Sequence, residues 1–191
     1  MRFLSLSTIL ALPLLCVGQS RPALKGSDTF IPDSIASGIL LRDTASAIAV
    51  LGHIPSEELL EDHRDMPRAS FFNSDSTEVL TVYKHYGGYR NEYCELRISV
   101  RDTGFVRAAL PMAHFTSGRS VKLGLSEEDI VRTFGGDAVR RNGDMYVMLS
   151  YAIKDFASSS FLQRFNYPSY YARFTFEQDR LTDYRFGFEY P

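Results

Sequence analysis

Two runs near the end of the chain alternate between aromatic and charged residues, and this alternation most constrains the fold. In residues 170–177 the even positions are aromatic or alanine, and the odd positions are mostly charged or polar. Residues 181–190 repeat the alternation, and the short polar segment 178–180 separates the two runs. A period of two is typical of an antiparallel strand that is buried on one face only. The sequence therefore predicts a C-terminal hairpin with one aromatic and one charged face.

The aromatic face of this hairpin has two interpretations, a binding platform or part of the core. An amphipathic helix is predicted shortly before it, with Ile130 and Phe134 on its apolar side. Such a helix needs an apolar surface to cover. We therefore predict that the aromatic face packs on Ile130 and Phe134, which leaves the charged face outside.

The N-terminus has the pattern of a secretory signal peptide. Arg2 gives a positive start, an apolar run follows through Leu15, and Cys16 and Gly18 provide small residues for cleavage. The apolar run is shorter than the roughly 20 residues that a membrane-spanning helix needs. We expect residues 1–18 to be removed, and the mature chain to have no transmembrane segment and to be secreted or periplasmic.

Cys16 raises a second interpretation, in which it is the lipid-anchored first residue of a bacterial lipoprotein. Lipoprotein signals place a small residue directly before that cysteine, whereas this chain has Leu15 there. The departure favours the soluble, cleaved form over anchoring at Cys16. Cys94 would then be the only cysteine of the mature chain and could not form an internal disulfide.

Two segments have helix start and stop signals, and strand-like stretches follow each of them. In the first segment Asp43 or Thr44 can cap a helix that ends at Gly52. In the second, Ser126 and Asp129 form a start of the capping-box type. About four strand-like stretches come after each helix, and this internal repetition indicates a tandem arrangement.

We therefore predict an α+β fold made of two tandem repeats. Each repeat is a short helical segment packed on its own, roughly four-stranded antiparallel sheet. The predicted organisation is a signal peptide at 1–18, an irregular leader at 19–33, a first repeat at 34–110 and a second repeat at 111–191.

One stretch supports this prediction by its resemblance to known families. Residues 123–135, with an apolar-Gly-apolar-Ser start, an acidic run, a short helix and a closing glycine, resemble the opening of SmpA/OmlA (BamE)-like domains. The tandem arrangement is similar to that of the β-lactamase inhibitory protein, a secreted chain built from two helix-and-sheet repeats. The resemblance implies a partner that is itself an exported protein.

No recognisable catalytic or metal-binding motif occurs in the sequence. It contains no Gly-x-Ser-x-Gly elbow, phosphate-binding loop, Cys-x-x-Cys pair or zinc-type histidine spacing. Cys94 alternates with Leu96 and Ile98, which is typical of a buried strand cysteine rather than a catalytic thiol. We expect no enzyme activity, cofactor or metal. The alternative is a small secreted hydrolase that uses unrecognised carboxylates.

The candidate binding residues follow from the charged face of the predicted sheets. A formal net charge of −2 gives no general attraction to nucleic acid, so we expect no nucleic-acid partner. Tyrosine and arginine are enriched at protein–protein interfaces. We expect the outward positions of both repeats to carry the binding site, with these candidate residues: Tyr83, Tyr93, Arg97, Tyr146, Tyr171, Arg173 and Arg185. The predicted function is an exported, non-enzymatic protein-binding module, either inhibitor-like or envelope-associated.

Overall fold

The fold was analysed in a computed structural model, which describes residues 30–54, 60–62, 65–85, 92–100, 106–135 and 138–189. The predicted signal peptide at 1–18, with Cys16, lies outside the described residues, as do residues 19–29 of the predicted leader. In the part of the chain that is described, no helix is long and apolar enough to cross a membrane.

The described residues of the first half of the chain form one helix and seven strands. They are, in chain order: β1 (Ile35–Ala36), β2 (Ile39–Leu40), α1 (Thr44–Leu51), β3 (Leu60–Asp62), β4 (Asp65–Phe72), β5 (Glu78–Tyr83), β6 (Glu95–Val100) and β7 (Ala108–Ala109). Strands β1 and β2 form a small sheet of their own. The Asp43 side chain accepts hydrogen bonds from the backbone at the start of α1. This confirms its predicted role as the N-terminal cap.

In the second half, the residues that the structure describes form two helices and four strands. They are α2 (Glu127–Phe134), β8 (Val139–Asn142), β9 (Val147–Ile153), α3 (Ser160–Phe165), β10 (Ser169–Glu177) and β11 (Arg180–Glu189). The predicted capping box is confirmed: the Ser126 side chain accepts from the Asp129 backbone, and the Asp129 carboxylate accepts from the Ser126 backbone. The sequence signals predicted two helices, and α3 is an additional one.

One large sheet dominates the molecule, and the predicted fold class is wrong. We expected two α+β repeats, each with its own roughly four-stranded sheet. Instead eight antiparallel strands run in the order β3-β4-β5-β6-β11-β10-β9-β8, and β7 adds a parallel pairing with β4. In the described part of the structure, 41% is strand and 16% is helix, so the fold is mainly sheet with short helices on it.

The pairing of β6 with β11 is the feature that the prediction lacked. Tyr184 lies opposite Ile98, and Phe186 lies opposite Leu96, so the apolar faces of the two strands are continuous. Joining them pairs two strand edges that would otherwise leave backbone N–H and C=O groups without partners. The predicted division between residues 110 and 111 falls after β7 and before α2.

The hydrophobic core lies on one face of the large sheet. Phe174 and Tyr184 are fully buried there, which confirms that the aromatic side of the hairpin belongs to the core. Phe134 of α2 packs on both, with ring centroids 5.0 Å and 6.2 Å away. Phe161 of α3 packs on Tyr170 at 5.1 Å. The opposite face, which we call the outer face, carries the other side chains of the same strands.

Candidate functional site

The outer face takes its polar character from the alternation within β6, β10 and β11. Because successive side chains of a strand point to opposite faces, burying one set places the other set outside. The residues that share the outer face at the centre of the sheet are Glu95, Arg97, Tyr171, Arg173, Asp183 and Arg185. Arginine, tyrosine and carboxylate side chains therefore lie together in one region of the sheet.

Three arginines form one row across the central strands. Arg173 of β10 is paired with Arg185 of β11, and Arg185 is paired with Arg97 of β6. Ser150 of β9 and Thr81 of β5 continue this row on either side. Direct partners in an antiparallel sheet have Cα atoms only about 4.5–5.5 Å apart, so these three arginines start from adjacent positions.

Glu95 is the buried acid of this region. Its side chain is 3% exposed, and its two carboxylate oxygens accept hydrogen bonds from different partners: Arg185 Nε–H donates to Oε1, and the Tyr171 hydroxyl donates to Oε2. Burial raises the pKa of Glu95 above its usual value, while the positive charge of Arg185 acts in the opposite direction. Both partners are thereby fixed in place around one carboxylate.

The environments of Tyr171 and Arg185 follow from the same contacts. Burial raises the pKa of Tyr171, and the nearby charge of Glu95 raises it further, so the hydroxyl remains a donor. Burial alone would lower the pKa of Arg185, but Glu95, Tyr171 and Tyr83 act together in the opposite direction and the pKa is raised. Arg185 also lies over the Tyr83 ring, 4.6 Å from its centroid, in a cation–π arrangement.

Arg97 has its own carboxylate partner. Its Nε–H donates to Asp183 Oδ2, and their side chains keep 27% and 19% exposure. Burial tends to lower the pKa of Arg97, but Asp183 and Tyr83 together act in the opposite direction and the pKa is raised. Two arginines of the row are thus held by carboxylates of the chain itself.

Arg173 differs from the other two arginines of the row. It is exposed, and its guanidinium lies 5.4 Å from the centroid of the Tyr171 ring. Among the side chains that the structure describes, no carboxylate lies at ion-pair distance from it. Arg173 is therefore the arginine of the row that keeps its donors available to solvent.

A shallow pocket of about 460 Å³ opens beside these residues. Glu95, Tyr171, Arg173 and Arg185 line it together with Met66, His85, Phe188 and Glu189. Burial lowers the pKa of His85, and the charge of Arg42 lowers it further, so the ring is held towards its neutral form. The pocket is therefore a polar recess whose charged groups are mainly arginine and glutamate.

The structure brings together most of the candidate residues. Tyr83, Arg97, Tyr171, Arg173 and Arg185 all belong to the outer face of the central strands. They are not equally accessible: Tyr83 is 1% exposed and lies beneath Arg185, so it supports the surface from below.

Tyr93 does not lie on the outer face, which corrects its predicted outward orientation. It is 2% exposed and belongs to the hydrophobic core. Strand β6 begins only at Glu95, so the alternation extrapolated from that strand does not apply to Tyr93. Burial raises the pKa of Tyr93 to about 12, as expected for a phenol packed among apolar side chains.

Tyr146 lies apart from the other candidates, in the turn between β8 and β9. It is 47% exposed and contacts Gly143, where an added Cβ would come within 2.5 Å of its ring. It lines a second recess of about 490 Å³, near the start of α2, where Arg140 pairs with Glu127 at 2.8 Å. Tyr146 therefore cannot act in the same local cluster as Arg173.

Sequence reasoning missed the two carboxylates that organise the site. Glu95 and Asp183 were not among the candidates, although each alternates with an arginine two residues away, Arg97 and Arg185 respectively. That alternation shows that they share a face with the arginines. It does not show that β6 and β11 are neighbours, which is what creates the ion pairs.

The described residues offer no grouping suited to metal binding. Among them, no three or more His, Cys, Asp or Glu side chains lie close enough together to hold a metal ion. The chemistry that the outer face supports is hydrogen bonding, ion pairing and aromatic contact.

Comparison of the chain with protein-family models, with curated proteins and with solved structures gave no match. The resemblance to SmpA/OmlA (BamE)-like domains and to the β-lactamase inhibitory protein therefore stays a prediction.

Proposed function

We propose that this protein is an exported, non-enzymatic module that binds another exported protein through the outer face of its central strands. One observation carries the proposal: the arginines and Tyr171 form an ordered polar surface on the face away from the core. Arg173 is exposed, and Arg97 and Arg185 keep 27% and 24% side-chain exposure. The signal-peptide pattern at residues 1–18 supports export.

The way these side chains are held favours binding over mere solubility. A long side chain that is ordered on binding costs about 0.5–1.5 kcal/mol, and this cost weakens many charged contacts. Arg185 and Tyr171 are already fixed by Glu95, and Arg97 is fixed by Asp183. A partner would thus meet a surface that is largely preorganised, built from residue types that dominate interface hot spots.

A matched pair of arginine truncations tests this proposal. Wild-type protein would serve as bait for the exported fraction of its source cells, and the affinity of the captured partner would then be measured. Arg173→Ala removes an exposed guanidinium from the outer face. The control, Arg132→Ala, removes the guanidinium of a side chain that is 67% exposed and lies on α2, on the opposite side of the sheet.

We expect Arg173→Ala to weaken binding by about 2 kcal/mol, the scale of an interface hot spot, and Arg132→Ala to leave it unchanged. Thermal melts of both variants should stay close to that of the wild type, because surface substitutions usually cost within about 0.5 kcal/mol. Arg173 is a cleaner probe than Tyr171, because removing Tyr171 would also leave a buried oxygen of Glu95 without its donor. Equal binding by all three folded proteins would refute the proposed surface.

A further inference from the structure

The cross-strand pairing of Arg97, Arg185 and Arg173 is an unusual arrangement that calls for a physical explanation. Like charges placed directly opposite each other destabilise a sheet. A surface that only needed to be soluble would alternate the sign of charge across strands. Here three positive charges stand in consecutive positions across β6, β11 and β10.

Two of these charges are neutralised within the chain. Arg97 is paired with Asp183, and Arg185 is paired with Glu95. Glu95 accepts hydrogen bonds from Arg185 and Tyr171, and its side chain is 3% exposed. The charge of Arg173 also acts on Glu95, but no hydrogen bond or ion pair joins these two described side chains. Glu189, which also lines the pocket, accepts a hydrogen bond from the Ser169 hydroxyl at 3.2 Å.

Arg173, at one end of the row, is left without a carboxylate at ion-pair distance among the described side chains. Its guanidinium lies near the Tyr171 ring, which itself is anchored to Glu95. An aromatic face steadies a guanidinium without using its N–H donors, so those donors stay free for an external acceptor. A guanidinium matches the planar geometry of a carboxylate and can bind it through two parallel hydrogen bonds.

We propose that Arg173 is the recognition point for a carboxylate side chain, an Asp or Glu of the protein partner. The proposal rests on the proposed function and adds the chemistry of the partner at the outer face. The partner's acid completes the row, so that each of the three arginines has one carboxylate. Complementary charge of this kind also helps to set the orientation of the partner and its association rate.

A pair of synthetic peptides tests this chemistry without knowledge of the partner. One fluorescent eight-residue peptide carries four Glu residues among Gly and Ser, and its match carries Gln at those positions. Binding of each would be measured against the intact protein, Arg173→Gln, Arg173→Lys and the control Arg132→Gln. Each measurement would be made at about 0.1 M and at about 1 M salt. The Debye length falls from about 10 Å to about 3 Å between these concentrations, so an ion pair at an exposed site is screened at the higher one.

We expect the Glu peptide to bind the wild type about threefold to fivefold more tightly than the Gln peptide, as for one exposed ion pair. Arg173→Gln and high salt should each remove this preference. Arg173→Lys should keep part of it, because the charge remains but the bidentate geometry is lost, and Arg132→Gln should keep all of it.

Three results would overturn the inference: no preference for the Glu peptide, a preference that survives Arg173→Gln, or displacement of the peptide by inorganic phosphate as readily as by N-acetylglutamate. The last would identify a general anion site.

A separate measurement tests the proposed function: binding of the captured partner to Ser150→Tyr. This substitution adds bulk beside Arg173 on the outer face. If Ser150→Tyr blocks the captured partner while the peptides show no dependence on Arg173, the surface stands and its carboxylate specificity does not.

Discussion

Truncation of Phe134 tests how the single sheet is stabilised. Phe134 is 1% exposed and joins α2 to the core face of the large sheet. Its ring centroid lies 5.0–6.2 Å from those of four aromatic neighbours: Phe30, Tyr151, Phe174 and Tyr184. Phe134→Ala would therefore remove the contacts of α2 to three strands and to the N-terminal segment at once.

The size of the effect follows from these contacts. A buried Phe→Ala change costs about 3–5 kcal/mol. Aromatic pairs add about 0.5–1.5 kcal/mol each beyond the buried area. We therefore expect the loss of stability at Phe134 to lie in the upper half of that range, at about 4–5 kcal/mol. For a domain of this size each kcal/mol lowers the melting temperature by about 2–4 °C, so the midpoint should fall by about 8–20 °C.

Urea and thermal unfolding of Phe134→Ala would be compared with those of a matched control, Phe156→Ala. Phe156 is 40% exposed, so the same chemical deletion should cost less than about 1 kcal/mol there. A loss below about 1 kcal/mol at Phe134, or equal losses at the two sites, would refute the described role of α2 in the core.

Two further predictions concern the junction between β6 and β11. Cys94 should resist labelling by a thiol reagent in the native protein, because burial, reinforced by the charge of Glu95, raises its pKa and suppresses the thiolate; labelling as fast as in urea would contradict this. Gly187→Ala should destabilise by about 1–3 kcal/mol, because an added Cβ would meet the Cys94 carbonyl oxygen at 2.4 Å and Glu95 Cα at 2.6 Å. An unchanged melting curve for Gly187→Ala would show that the two strands are not so close.

Local signals in the sequence were sufficient for the faces of strands and the ends of helices. The period-two alternation in β10 and β11 placed Phe174 and Tyr184 in the core correctly. Ser126 and Asp129 marked the start of α2, because a capping box is formed by residues only three apart. Such features depend on neighbours along the chain, and so they can be predicted from it.

Features that depend on distant pairing could not be predicted in this way. Alternation tells which face a side chain occupies but not which strand lies beside it. The junction of β6 with β11 joins residues such as Arg97 and Asp183, which are 86 positions apart. That junction replaced two expected sheets with one and created the ion pairs of the candidate site.

The central claim is that the outer face, rather than the helical side of the sheet, meets a partner. Its most direct measurement is photo-crosslinking from a single position on each side. A photoreactive residue at Thr175, on the outer face of β10, would be compared with one at Arg132, which is exposed on α2. We predict that Thr175 yields a discrete crosslinked product with an exported protein, and that excess unlabelled wild-type protein suppresses it. A competed product from Arg132 and none from Thr175 would contradict the account.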